Sequence, residues 1–341
     1  MSSSTSDFER DLALDASADP RWRRWIALYL AVAVGATGIC FLALVLLDPF
    51  STGRLTPIKS FNITTSYRIL AHAGRIRNPA FDSAIIGNSR SFPIEPARLS
   101  ALTGHRIVNL AMPGMYPPEQ LFFVETFVRQ HRGSAPLIIW QLDVAWCQSE
   151  QRHTEYDIPK WVYAESDFEY LRHIVSRTAL RAAYARLQIL LGLKKDAARL
   201  DGYEPWIPDD VPARRAAMLK APAQTYGEPV SDPFPNLDAL KTGLAAIEPA
   251  SPVVLWFPPV YVGALPVPGS AAEARLAECR ARLRAIVAGR PHTELVDLWK
   301  DAPGLHDPDN FIDHMHFLDP VARDVERVLA EHIRTLAPRP R

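Results

Sequence analysis

The chain is poor in cysteine, carries no excess of either charge and contains no internal repeat. Three cysteines, Cys40, Cys147 and Cys279, in 341 residues form neither a metal-type spacing nor a disulfide framework. At most one bridge, Cys147 to Cys279, is available outside the cytoplasm, and two unpaired small hydrophobes is the simpler reading. Lys+Arg and Asp+Glu both number 38, a formal net charge of +0. Bulk electrostatics therefore give no case for nucleic acid or an acidic polymer as partner. Hydrophobic residues make up 48% and charged residues 22%, the balance of an ordinary globular protein with a sizeable core. The length suits one large α/β domain with an attachment, or two modest domains. Proline is abundant, 30 in all, and its clustering between 205 and 268 implies long irregular connections there.

A long apolar run is present at 25–47, WIALYLAVAVGATGICFLALVLL, with no charge in it. At about 1.5 Å per residue it reaches roughly 34 Å, enough to cross a bilayer's hydrocarbon core. Arg21, Arg23 and Arg24 precede it, Asp48-Pro49 closes it, and on the far side only Arg54 and Lys59 are basic nearby. Positive-inside logic puts the tail, 1–24, in the cytoplasm and residues 50–341 across the membrane. A cleavable signal peptide is the rival reading. Its apolar core would run about 7–15 residues and end in a small-x-small site, and this run is longer with no convincing site. Cys40 follows the bulky Ile39 and is followed by more apolar residues, which argues against a lipidated cysteine. An uncleaved anchor is expected, with a disordered tail rich in Ser, Asp and Ala over the first twenty residues.

Five short apolar runs bounded by turn or polar residues read as strands: Ser83–Ile86, Arg106–Leu110, Leu137–Val144, Pro252–Phe257 and Glu294–Leu298. Helical patterns lie between them at 96–103, 117–131, 235–247 and 271–288, and a last one at 320–336 follows the final strand. Alternation of strand and helix predicts a mostly parallel sheet covered on both faces, and continuously apolar strands such as LIIW and VVLWF fit that burial. Residues 148–234 break the rhythm. They hold a helical pattern over about 167–197 and then a Pro-rich stretch, most simply an insertion between the third and fourth strands and a candidate cap. That helix carries Arg172, Arg177, Arg181, Arg186, Lys194 and Lys195 beside Leu187, Ile189, Leu190 and Leu191. A solvated helix is its simpler reading, a membrane-surface helix the other.

In a doubly wound sheet, ligands collect beyond the carboxyl ends of the strands. The first strand runs into G-N-S-R-S, 87–91, so Ser89 is expected at that edge, with Gly87 allowing the turn. By itself this stretch reads as an ordinary turn; it lacks the second glycine of the α/β-hydrolase elbow. The C-terminal stretch HDPDNFIDHMHFLDPVAR, 306–323, changes that. Asp319-Pro320 is a helix-start signal, so Asp313 and His316 fall in the loop after the last strand, at the same sheet edge. A serine hydroxyl needs a neutral imidazole to take its proton, and the imidazole needs a carboxylate to fix its tautomer. Asp313 and His316 supply both. His306, Asp307, Asp309, Asp313, His314 and His316 also permit a metal reading, but no second cluster supports it and no metal is expected. Arg90 is open to contact with an anionic substrate or to an ordinary salt bridge. Trp256 and Tyr261 are open to lining a sugar-sized pocket or to packing.

On these blocks the chain resembles the SGNH (GDSL-like) hydrolase superfamily. G-N-S-R-S at 87–91 is similar to the family's nucleophile block, D-H-M-H at 313–316 to its closing D-x-x-H block, and N-L-A-M-P-G, Asn109 to Gly114, to its asparagine-and-glycine block. The resemblance covers about 80–147 and 250–336. It implies a three-layer, doubly wound, mostly parallel five-stranded α/β sheet (SGNH/flavodoxin-like) preceded by one transmembrane helix. It further implies Ser89 as nucleophile, His316 as base and then acid, Asp313 as its orienting partner, and the backbone N–H groups of Ser89 and Gly114 facing the oxyanion. No cofactor is implied. The chain departs from the family pattern in having Asn88 where aspartate is usual. It also lacks the asparagine of a third donor block, leaving Gln141 or Asp143 in I-I-W-Q-L-D-V-A-W. The layout, one anchor and an extracytoplasmic domain, resembles proteins that acylate cell-surface polymers. It implies a bacterial inner-membrane protein with a periplasmic domain, a glycan substrate and a membrane-bound acyl-donor protein as partner. The expected activity is ester hydrolysis or O-acyl transfer through acyl-Ser89. The alternative is a weak or inactive domain serving as an assembly partner in a polysaccharide-modification complex.

Overall fold

A computed structural model describes residues 20–155, 157–220 and 228–337. The expected disordered tail falls almost wholly outside them. The uncharged run forms one helix, α1, Pro20–Leu47, and the stretch Arg21–Leu47 is the one candidate membrane span among the described residues. Its side chains are largely exposed up to Ile39, whereas Leu44 is buried and Cys40, Phe41 and Leu47 pack partly against the domain. Asp48 ends the helix, accepting from the Thr52 hydroxyl at 2.8 Å and the Gly53 N–H at 2.7 Å.

All five expected strands form: β1, Ser83–Ile86; β2, Ile107–Asn109; β3, Leu137–Gln141; β4, Val253–Phe257; and β5, Thr293–Asp297. They pair in parallel in the order β2-β1-β3-β4-β5. β2 and β3 stop earlier than their apolar runs predict, because a side chain turns the backbone at each end. The Asn109 side-chain oxygen Oδ1 takes the Ala111 N–H at 2.9 Å, and the Asp143 carboxylate takes the Ala145 N–H at 2.9 Å.

The helices packed around the sheet are α2, Arg68–Arg77, before β1; α3, Pro96–Thr103; α4, Pro117–Gln130; α9, Pro235–Ala246; α10, Ala271–Ala288; and α11, Asp319–Leu336, after β5. Alternate strand residues feed two apolar clusters. Ala84, Ile86, Ile138, Trp140 and Leu255 pack with α2, α4, α9 and α10. Ile85, Ile139, Val254, Trp256 and Val296 pack with α3 and α11. Trp256 is thereby fully buried, which removes it from any pocket lining. The α2 helix has no counterpart among the helical patterns read from the sequence. A Cβ at Gly74 would lie 2.7 Å from the Phe50 carbonyl, so this glycine serves close packing. Asp319 does not cap α11. It is the first helical residue, after Leu318, and its carboxylate pairs with Arg98 and Arg323, each at 2.8 Å.

The insertion splits into α5, Lys160–Tyr163; α6, Asp167–Ile174; α7, Arg177–Leu190; and α8, Val211–Lys220. Ser176 breaks the expected long helix by capping α7 through the Ala179 N–H at 3.1 Å. The α5–α7 part packs against the end of α1. The part after it crosses the carboxyl edge of the sheet. Its Asp201 carbonyl takes the Asn109 N–H at 2.8 Å, and Arg215 on α8 donates to the Phe311 carbonyl at 2.8 Å. The two cysteines read as unpaired are joined, Cys147 to Cys279 with Cα atoms 5.5 Å apart. Burial of both between the turn after β3 and α10 brings them together.

Candidate active site

The strand order reverses between β1 and β3, so a crevice opens beyond the carboxyl ends of those two strands. Ser89 follows β1 directly. Gly87 is needed there because a Cβ would meet the Gln141 Cβ and Oε1 at 2.6 Å and the Ser91 hydroxyl at 2.7 Å. One 3₁₀ turn, Ser89–Ser91, follows, capped by the Asn88 oxygen on the Arg90 N–H at 3.1 Å.

The loop after β5 brings the other groups. Phe311 and Phe317, both fully buried, bridge in antiparallel fashion and pin the loop's base. Between them the Asp313 carboxylate accepts from the Met315 and His316 N–H groups, each at 2.9 Å. Both its oxygens lie 2.9 Å from His316 Nδ1. Burial pushes this carboxyl up, but the bonds from His316 and the two N–H groups outweigh it and hold it below its ordinary value. An ionised carboxylate only accepts, so Nδ1 donates to Asp313 and Nε2 is left as acceptor. Ser89 Oγ lies 2.8 Å from that Nε2, within the reach that proton transfer from a serine hydroxyl to a neighbouring base requires. The His316 side chain keeps 21% of its exposure, so a substrate can reach it.

Polar groups behind the serine are engaged with one another. Asn88 Nδ2 donates to Asp143, whose other oxygen takes the Ala145 N–H. The carboxylate missing at 88 thus stands at 143, facing an amide at 88. Burial raises the Asp143 pKa, opposed by the Arg90 charge and by these hydrogen bonds. Gln141 takes the Asn88 N–H on Oε1 at 2.8 Å and donates to the Leu142 carbonyl at 2.8 Å. Asn109 donates to the Ser91 carbonyl at 2.9 Å and to that of Ile94 at 3.4 Å. Both amides therefore brace the Ser89 turn from inside the fold. Arg90 fits neither reading made of it. It is buried, donates to the Pro258 carbonyl at 3.1 Å, and lies 4.9 Å over the Trp299 ring. Its Nε and Nη1 have no acceptor. Desolvation lowers its pKa to about 10, with Asp143 and Asp313 acting against the fall.

Gly114 has the left-handed backbone (φ +58) and an exposed position. Its loop is tied to the nucleophile turn through the Met112 N–H on the Gly87 carbonyl at 3.1 Å. Beside it opens a cleft of about 570 Å³ lined by Tyr67, Arg68, Met112, Pro113, Glu155 and Asp157. Trp206, which the sequence reading did not single out, packs edge-on against the His316 ring with centroids 4.9 Å apart. The Arg214 guanidinium covers Trp206 at 5.2 Å. Nothing in a Pro-rich stretch marks these residues beforehand; only the crossing of the insertion brings them here. Tyr261 packs edge-on with Phe311 and His314. Among the described residues no three His, Cys, Asp or Glu side chains converge as a metal site, and His306 instead pairs with Asp301 at 2.5 Å. No protein-family model matches the chain, and no curated protein matches it either.

Proposed function

We propose that this protein is a membrane-anchored serine esterase or O-acyltransferase of SGNH type, acting on O-acyl, most simply O-acetyl, groups of a cell-envelope glycan. The observation that carries the reading is the chain of contacts Ser89–His316–Asp313, at 2.8 and 2.9 Å, assembled from opposite ends of the sequence. Ser89 Oγ attacks the ester carbonyl while its proton passes to His316 Nε2. Asp313 holds the imidazole by Nδ1 and stabilises the imidazolium as it forms. The tetrahedral intermediate's oxyanion is received by the backbone N–H groups of Ser89 and Gly114. His316 returns the proton to the departing alcohol oxygen, leaving acyl-Ser89. Water or a sugar hydroxyl, deprotonated by His316, then attacks the acyl carbonyl, and His316 returns that proton to Ser89 Oγ as the acyl–oxygen bond breaks. Trp206 shields the imidazole edge and offers an apolar surface of the kind that sugar rings pack against.

The anchor helix and the Cys147–Cys279 disulfide support placement of the domain on the oxidising, periplasmic side of a bacterial inner membrane. A membrane-bound acyl donor suits that placement. One observation favours a second reading, a weak or inactive domain acting as an assembly partner: the Asn109 and Gln141 amides are engaged inside the fold. Loss of one oxyanion donor costs about 10²–10³ in rate. A fluorophosphonate probe applied to the full chain in detergent separates the two. Labelling of the wild type that disappears in Ser89→Ala and His316→Ala is the expected result. Labelling that persists in Ser89→Ala overturns the nucleophile, and none in the wild type favours the second reading.

A further inference from the structure

The anchor and the domain are not joined by a free linker. About 20 residues at about 1.5 Å each are needed to cross a hydrocarbon core of about 30 Å. Counted from Trp25, the first residue after the arginines, they end near Leu44. Yet Leu44 is already buried against the domain, with Cys40 and Phe41 packed beside it. Ala179, Ala182 and Ala183, on one side of α7, belong to the same buried cluster, and α7 packs on α1 together with α6. The junction is locked. The buried Arg186 donates to the Ser51 hydroxyl and, at 2.8 Å, to the Ser60 carbonyl. Tyr170 on α6 reaches Asp48 at 3.4 Å. Whatever packs on Cys40–Leu44 must therefore sit at the depth where α1 leaves the hydrocarbon.

The outward side of α7 suits that depth. Leu180, Tyr184, Leu187 and Leu191, spaced 4, 3 and 4 apart, fall on one side of the helix, opposite the buried alanines. All four are exposed, Tyr184 by 65% and Leu191 by 63%. Arg177 and Arg181 flank them, Lys194 and Lys195 follow, and no acidic residue lies between Tyr170 and Lys195. An apolar stripe edged by cations, with none of the opposite charge, matches acyl chains beneath phosphate headgroups.

We propose that the outward face of α7 lies in the headgroup layer of the bilayer that α1 crosses, so that the protein is held by one span and one interfacial helix. The solvated reading of this helix is then replaced by the membrane-surface one, for a reason of depth that composition alone does not contain. This inference does not depend on the chemistry at Ser89.

The test uses the full chain in vesicles of mixed zwitterionic and anionic phospholipid. In a Cys40→Ser background, Tyr184→Cys, Leu187→Cys and Leu191→Cys are each labelled with an environment-sensitive fluorophore, with Arg327→Cys on the exposed side of α11 as control. Doxyl-labelled lipid is expected to quench the three α7 positions at least twofold more than position 327, and aqueous iodide to do the reverse. Iodide quenching at α7 equal to that at 327, without lipid quenching, overturns the proposal. Protection from iodide without lipid quenching also overturns it, because a protein then covers this face. A second measurement needs no substitution. The wild-type chain, irradiated in vesicles doped with a photoactivatable phospholipid, is expected to carry adducts on both α1 and α7. Adducts on α1 alone contradict the proposal while confirming the span.

Discussion

The two halves of the candidate site are fixed in opposite ways. Asp313 and His316 are organised by their own loop, whose bonds run between residues two or three apart and whose base is two buried phenylalanines. Ser89 is organised from a distance. Its turn depends on Gln141 at the end of β3, on Asp143 just after it and on Asn109 at the end of β2. The disulfide that ties Cys147 to α10 secures the same β3 exit. The proposed proton relay thus rests on a local loop at one end and a tertiary network at the other. Damage to the first should remove chemistry while sparing the fold, whereas damage to the second should lower stability and chemistry together.

The sharpest way to break this contrast lies in the loop. Asp313→Asn is expected to lower kcat/KM by about 10⁴, because the wrong imidazole tautomer is then favoured. Near neutral pH its stability should fall only by what the Asp313 charge contributes, with the fold retained. The Asp313 carboxyl is held below its ordinary value, so its charge contributes stability above the usual carboxylate range that is lost as pH falls through the depressed folded-state pKa. Chemical denaturation at pH 7 and at pH 3 reads both parts, and a large loss at pH 7 would make the loop a structural element.

On the other side, removing the disulfide with Cys147→Ser and Cys279→Ser is expected to cost about 2–5 kcal/mol, since the bridge closes a long loop; denaturant titration checks this. Asn88→Asp sets a second carboxylate face to face with that of Asp143. It should destabilise by about 1–3 kcal/mol at pH 7 and by less near pH 4.5, as one of the pair takes up a proton. Adding Asp143→Asn should restore most of that loss by exchanging the two partners. If the double variant is no better than the single, the amide–carboxylate pair is not what holds the turn. The smallest expected effect is at Trp206. An edge contact of this kind is worth about 0.5–1.5 kcal/mol, so Trp206→Ala should cost about that much stability and lower kcat/KM by no more than about tenfold.

The contrast also explains what could be read before the structure. The loop half was legible because D-H-M-H and the phenylalanines around it are contiguous, and the strands were legible because buried parallel strands are continuously apolar. The turn half was legible only as departures at Asn88, Gln141 and Asp143. That Asn88 and Asp143 bond to each other depends on β1 and β3 being neighbours. The disulfide was misjudged for the same reason, since its cysteines are 132 residues apart. Trp206 lies in a stretch without periodicity, placed by the anchoring of Asp201 at Asn109 and of Arg215 at Phe311.

The central claim, that Ser89 is a nucleophile served by His316 and Asp313, is tested most directly by trapping the acyl-enzyme. The full chain in detergent is mixed with an activated acetate ester, quenched in acid and weighed by mass spectrometry. The account predicts that the mass rises by one acetyl group on the peptide bearing Ser89, and that Ser89→Ala and His316→Ala show no such rise. Acetylation elsewhere in the wild type, or at Ser89 undiminished in His316→Ala, would contradict it.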